Sequence, residues 1–146
     1  MLRTGFHDVP PGHVAAVVTH LEMRSPPPTR PDPPDGPWPI RRVVRPDLRW
    51  YRDLYRRIGT AWLWAARLRL DDGALASLID HPDHELWVLA PAGRDEGIAE
   101  LDFRQPGACE LRLFGVTERL TGTGAARAVM NHALARVWSR PGIGRF

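Results

Sequence analysis

The chain has 146 residues, of which 43% are hydrophobic, and this is enough for one folded domain with its own core. Its formal net charge is +3, carried by arginine alone because the sequence contains no lysine. A charge this small and dispersed argues against nucleic-acid binding but suits an anionic ligand. No apolar run is long enough to span a bilayer, and the polar start Met1–Val9 is not a signal peptide. A single cysteine excludes a disulfide framework, so a cytoplasmic protein is expected.

The first part of the chain combines a predicted strand with a proline-rich loop. His13–Met23 is an apolar run rich in valine and bounded by prolines on both sides, and this composition predicts a strand. Ser25–Pro39 contains too many prolines for a helix or a central strand, so an exposed loop is expected. A partner with an aromatic groove could recognise Pro26–Pro28, although a linker or an insertion explains the same residues.

An amphipathic helix is predicted after this loop. Apolar residues recur every three or four positions and arginines occupy the opposite side, which is typical of an amphipathic helix. The helix is expected to begin after Pro46 and to end at Gly59. The apolar positions are Leu48, Tyr51, Leu54, Tyr55 and Ile58. Trp62 and Trp64 follow the helix, and they suit either the wall of a substrate cleft or ordinary core packing.

A second, short helix is predicted between an acidic cap and a proline. Asp71 and Asp72 suit its N-terminus, and His81-Pro82 closes it. The polar cluster Asp80–Glu85 contains residue types that bind metals, but its proline prevents the regular helix that would bring two histidines to one face. No metal site is therefore predicted, and a polar turn is the preferred interpretation.

Three strands joined by short Pro/Gly turns are predicted next, as an antiparallel meander over Glu85–Ala90, Ile98–Arg104 and Glu110–Val116. Strict alternation would divide the third strand between two faces. One face would carry Cys109, Leu111 and Leu113, and the other Glu110, Arg112 and Phe114. Cys109 is interpreted as a small buried hydrophobe rather than a nucleophile, because no partner motif accompanies it.

The loop Thr117–Gly124 connects the third strand of the meander to an alanine-rich helix over Ala125–Trp138. The apolar stripe of that helix consists of Ala126, Val129, Met130, Ala133, Leu134 and Val137. Glycines in the loop let a ligand approach the backbone, and the first amides of the helix lack partners within it. These amides and the positive end of the helix dipole suit a phosphate, and Arg119 would add a full charge. A glycine-rich turn that binds nothing is the alternative.

Two familiar phosphate-binding motifs do not match this loop. The nucleotide-triphosphate loop G-x-x-x-x-G-K-[ST] requires a lysine, which this sequence lacks. The dinucleotide-binding fingerprint G-x-G-x-x-G requires a small residue where this sequence has Arg127. What remains is Arg119-x-x-Gly122-x-Gly124-Ala125, between a strand and an amphipathic helix. This resembles the [Q/R]-x-x-G-x-[G/A] signature of the GNAT (Gcn5-related N-acetyltransferase) superfamily. The resemblance implies that the loop holds the pyrophosphate of acetyl-coenzyme A (acetyl-CoA). The implied cofactor-binding residues are Phe114, Gly115, Val116, Arg119, Leu120, Thr121, Gly122, Thr123, Gly124 and Ala125.

The resemblance also implies a single GNAT-like domain over residues 1–146, of mixed α/β class, with a mostly antiparallel sheet flanked by helices. The family normally continues with a fifth strand parallel to the fourth, a further helix and a closing hairpin, whereas this sequence ends at Phe146. We therefore expect a C-terminally truncated domain with no sheet partner after Trp138. The exposed edge of the fourth strand would favour self-association, including a homo-oligomer.

The implied activity is acetyl transfer from acetyl-CoA to an amine of a small molecule or a protein. An alkyl amine is protonated at neutral pH, so the reaction needs a proton acceptor. Glu110 is the candidate base, because the resemblance puts its strand along the acceptor cleft, and Glu100 is the reserve candidate. An ion pair between Glu110 and Arg112, or plain solvation, explains the same residue equally well. No tyrosine matches the family's general acid, since Tyr51 and Tyr55 are assigned to the core.

A different class of function remains as the alternative hypothesis. The chain would then be a catalytically impaired remnant that keeps the loop as a CoA-binding or anion-binding module, or that pairs its open strand with another chain. Neither hypothesis involves a metal, a nucleic acid or a membrane.

Overall fold

The computed structural model describes residues 4–28, 30–32 and 36–146 of the chain. Its centre is a four-stranded antiparallel sheet in the order β1-β2-β3-β4, with helices on both faces. The strands are β1 (Ile40–Val43), β2 (His84–Leu89), β3 (Gly97–Asp102) and β4 (Glu110–Val116). The helices are α1 (Leu48–Gly59), α2 (Asp72–Ile79) and α3 (Ala125–Trp138). The mixed α/β class and the antiparallel meander are confirmed.

The first strand lies elsewhere than expected, and the prediction of a strand over His13–Met23 is wrong. Most of that segment is exposed and only Met23 has strand-like hydrogen bonds, because the apolar side chains of the segment find no layer to pack on. The strand is Ile40–Val43 instead, paired with β2. Ile40 packs on the α3 side of the sheet and Val43 on the α1 side, with two exposed arginines between them. Such a short strand gives no alternating pattern over several residues.

Both N-terminal helices match their predictions. Asp47 caps α1 by accepting from the amide of Trp50 at 2.8 Å, and Asp71 caps α2 by accepting from Ala74 at 2.7 Å. Gly59 ends α1 for a reason of packing. A Cβ on Gly59 would lie 2.5 Å from the Trp64 side chain, so glycine is needed for the tryptophan to fold back onto the helix.

The proline-rich segment forms no helix or strand in its described part, as predicted, although Thr29 and residues 33–35 of the predicted loop lie outside the described residues. Trp38, at its end, packs against the α3 side of the sheet. Asn131 of α3 donates to the carbonyl of Arg30 at 3.1 Å and to Asp32 at 2.8 Å. These contacts hold the segment beside α3.

The two faces of the sheet carry separate hydrophobic layers. On one face, α1 and α2 cover Leu86, Val88 and Ile98. On the other face, α3 packs on the remaining apolar residues of the strands, and its buried positions are Ala125, Ala128, Val129, Ala133 and Val137. The buried stripe of α3 is thus rotated from the predicted one, since Met130 and Leu134 are only half-buried.

A β-bulge in β4 places its side chains on different faces of the sheet from those expected. Glu100 pairs with Leu113 and Leu101 with Leu111, so Arg112 is an extra residue opposite the β3 strand. Leu111 and Phe114 therefore pack on the α3 side, whereas Leu113 packs on the α1 side. The single-face prediction for Leu111 and Leu113 is wrong because one inserted residue reverses the alternation.

The last residues also differ from expectation, since they do provide a partner for the sheet after Trp138. Arg145 forms a parallel bridge with Ala108, just before β4, and its carbonyl accepts from the amide of Cys109 at 2.9 Å. Beyond this short pairing, β4 forms the edge of the sheet within the described residues.

Candidate functional site

The loop between β4 and α3 has a backbone that only glycines adopt readily. After the 3-10 turn Glu118–Leu120, Gly122 has φ 80° and Gly124 has φ 88°. A side chain at either position would be strained in this left-handed conformation. Gly124 is also the N-cap of α3, so it brings the chain to the helix start without a side chain in front of it.

Several backbone amides at this helix start point to no protein acceptor. Among the described residues, the amides of Gly122, Gly124, Ala126 and Arg127 donate to no protein atom, and Ala125 makes only a 3.3 Å contact with the Thr123 hydroxyl. They stand at the positive end of a 14-residue helix. A group of free donors at such a terminus is suited to an anion.

Arg119 pairs with Glu96, a residue that no sequence motif indicated. Arg119 forms an ion pair with Glu96 at 3.1 Å, and Arg94 pairs with the same carboxylate at 2.9 Å. Thr117 donates a hydrogen bond to Glu96 from its hydroxyl and another, at 2.8 Å, from its amide to the Glu96 carbonyl. The expected full positive charge at Arg119 is therefore partly offset.

Glu96 anchors the first residue of the loop, Thr117, from the buried side. It is 1% exposed, and burial alone would raise its pKa, but the Thr117 hydrogen bond and the two arginines hold the pKa of Glu96 below its ordinary value. No local pattern indicates this role, because the preceding Asp95 and following Gly97 make the segment resemble an ordinary turn.

The other predicted cofactor residues differ in how far they are exposed. Leu120 and Ala125 are buried in the core cluster on the α3 side, and the half-buried Phe114 and Val116 pack against that cluster. A Cβ on Gly115 would lie 2.7 Å from Ile58, which shows that this glycine allows α1 to pack on β4. Within the loop, the exposed or half-exposed positions among the predicted residues are Arg119, Thr121, Gly122, Thr123 and Gly124.

The candidate base Glu110 lies at the other end of β4 from the loop, about 20 Å away for a strand of this length. Its side chain is 68% exposed, and its nearest cation is Arg112 at 3.8 Å. Glu110 lines a cleft of about 1110 Å³ beside the N-terminal part of β4, to which that strand contributes Glu110–Arg112. The loop and the candidate base thus lie at opposite ends of the same edge strand.

Glu100, the reserve candidate, is a structural residue, and its assignment as a base is wrong. It is fully buried and accepts hydrogen bonds from Tyr51 and, at 2.8 Å, from Arg67, while His84 lies 3.3 Å away. Burial alone would raise the pKa of Glu100, but these partners hold it below its ordinary value. Tyr51 and Tyr55 are core residues, as predicted.

The remaining candidates add no chemistry to the site. Trp62 is 73% exposed whereas Trp64 packs in the core. Cys109 is buried, and burial raises the pKa of its thiol to about 12, which is unsuited to a nucleophile. In the described ranges, no group of three potential metal ligands comes together, and no helix is long and apolar enough to cross a membrane.

No protein-family model matches the sequence, and a search of the curated proteins finds no match. Solved structures do match in fold. An aminoglycoside acetyltransferase from an uncultured soil metagenomic sample, meta-AAC0020, matches both in complex with trehalose and in complex with sisomicin. The TM-score is 0.57 and the identity 14%, over 72% of each chain.

The loading GNATL domain of CurA from Lyngbya majuscula also matches, with a TM-score of 0.55 and 12% identity over 74% of this chain and 62% of that one. At these identities the likeness concerns the fold. The GNAT resemblance inferred from the loop motif is confirmed at that level.

Proposed function

We propose that this GNAT-like chain transfers an acetyl group from acetyl-CoA to an amine. The observation that carries the proposal is the helix start at Gly124. There, two left-handed glycines and a set of unpartnered amides follow the last strand of a sheet whose structural neighbours include an acetyltransferase.

The loop is chemically suited to the pyrophosphate of CoA. Its free amides can donate to phosphate oxygens without any side chain intervening, and the helix dipole favours the negative charge. Arg119 adds a cation at the rim, moderated by Glu96. Leu120 and Ala125 support the loop from the core below.

In this proposal, the reaction takes place in the cleft beside the N-terminal part of β4. The pantetheine arm separates the thioester from the pyrophosphate, so the reacting group lies away from the loop. In the proposed reaction, Glu110 accepts a proton from the ammonium form of the substrate, directly or through water. The free amine then attacks the thioester carbonyl, the C–N bond forms and the C–S bond breaks. The leaving thiolate of CoA takes up the second proton lost by the nitrogen.

Calorimetric titration with acetyl-CoA, followed by an assay of released thiol, tests this function. Sisomicin is a suitable first amine, because the structural neighbour was solved in complex with it. Saturable binding with amine-dependent thiol release is expected. Saturable binding with no release for any amine would support the alternative, a CoA-binding module without catalysis. The absence of binding would contradict both.

A further inference from the structure

The N-terminal segment Thr19–Met23, here called the strap, is placed beside β4 by a short chain of backbone hydrogen bonds. Gly144 donates to Gly107 at 2.9 Å and Cys109 donates to Arg145 at 2.9 Å, so the last residues run parallel to the entry of β4. Met23 and Phe146 exchange both of their backbone hydrogen bonds, at 2.6 and 2.8 Å, which is the pattern of an antiparallel pair.

The direction of the strap follows from these two pairings. Because Phe146 runs in the direction of β4 and Met23 runs against it, the residues preceding Met23 extend along β4 towards its C-terminal end. At Met23 the strap stands one strand further out than Phe146, which is two strand spacings, about 10 Å, from the edge of β4. This leaves room for one extended chain.

The cleft at the β4 edge occupies this space. Thr19–Met23 line one side, Cys109–Arg112 line the other, and Met130, Leu134 and Phe146 contribute apolar surface. Apart from Met23, the strap shares no backbone hydrogen bond with the described protein. Beyond the paired residues Cys109 and Met23, both walls therefore offer free backbone groups to whatever lies between them.

The side chains of the strap also favour a bound apolar chain. Leu21 lines the cleft, and its side chain is 88% exposed. A ligand that covers this side chain gains the free energy of removing it from water. An extended acyl-bearing arm with amide groups matches both the open backbone edges and this apolar rim.

We propose that the strap is the second wall of the acyl-CoA cleft and positions the acyl-bearing arm against β4. The inference rests on the proposed function, since it assigns further contacts to the same ligand.

Leu21→Asn tests the inference, with Val17→Asn as a matched control. Val17, two residues before the strap, is 97% exposed but does not line the cleft. Two ligands are titrated: acetyl-CoA, and its nucleotide part, 3′-phospho-ADP, which lacks the pantetheine arm. Leu21→Asn should weaken acetyl-CoA binding about fivefold and leave 3′-phospho-ADP binding unchanged. Val17→Asn should change neither.

Met23→Pro provides a second variant, because proline cannot donate the hydrogen bond that ties the strap to Phe146. It should weaken acetyl-CoA at least as much as Leu21→Asn does. If 3′-phospho-ADP binds the wild type while acetyl-CoA affinity is unchanged in both strap variants, the inference is overturned and the proposed function survives. If neither ligand binds the wild type, both fail together.

Discussion

The two ends of β4 are built in opposite ways. At its C-terminal end, the loop is supported by the buried Glu96 and by core side chains, and several of its backbone amides have no protein acceptor among the described residues. At its N-terminal end, the exposed Glu110 lies in an open cleft between the strand edge and the strap. This difference suggests a division of labour, in which the rigid end holds the phosphates and the open end admits an acyl group and an amine.

The largest expected effect comes from the rigid end. Gly124→Asp puts a side chain into a left-handed position and a carboxylate at the helix start, so acetyl-CoA affinity should fall by about 100-fold or more. Calorimetry measures the loss. Gly12→Asp, which changes a left-handed glycine outside the loop, is the control and should bind acetyl-CoA like the wild type. Retained affinity in Gly124→Asp would remove the loop from the site.

A substitution at the open end of β4 should change kcat rather than the affinity for acetyl-CoA. Glu110→Gln removes the proposed proton acceptor, so kcat should drop by about 100-fold while acetyl-CoA binding is unchanged. Steady-state thiol release and calorimetry separate these quantities. Glu118→Gln, at an exposed position of the loop, is the matched control for charge. An unchanged kcat would leave Glu110 as a surface residue paired with Arg112.

The two ends also differ in how far the sequence could predict them. Glycines, helix periodicity and the strand before them are local features, so Thr117–Gly124 and α3 were predicted closely. The bulge at Arg112 and the strap depend on pairing between distant segments, for which single-sequence patterns carry no signal. The first strand was misplaced for the same reason. Val14–Leu21 has the composition of a strand, but Ile40–Val43 has the partner.

Glu96 was missed because two of its partners, Thr117 and Arg119, lie far from it in the sequence. Its role predicts a pH effect on stability. Its folded-state pKa lies below the ordinary value of 4.5, so the ionised carboxylate stabilises the fold above that pH and less as pH falls. Glu96→Gln should therefore cost about 1 to 2 kcal/mol at pH 7 and less at pH 4. Urea unfolding at both values measures this. A cost that does not shrink at pH 4 would argue against the ionised role.

The smallest effect is expected at Arg119, because Glu96 already shares its charge. Arg119→Ala should weaken acetyl-CoA about threefold to fivefold, and more strongly at low salt, where surface charges are less screened. Phosphate-free pantetheine should be unaffected. Arg49→Ala, at an exposed position of α1, is the control. An equal loss for phosphate-free pantetheine would show that Arg119 supports the fold rather than the phosphates.

The most direct measurement of the central claim is the amide spectrum of the isotope-labelled protein during titration with acetyl-CoA. If the rigid end of β4 binds the phosphates, the amides of Gly122, Gly124 and Ala126 should show the largest shifts, as expected for donors that gain an anionic acceptor. Smaller shifts should extend along Glu110–Arg112 and the strap. Saturable binding that leaves the three loop amides unmoved would contradict the account.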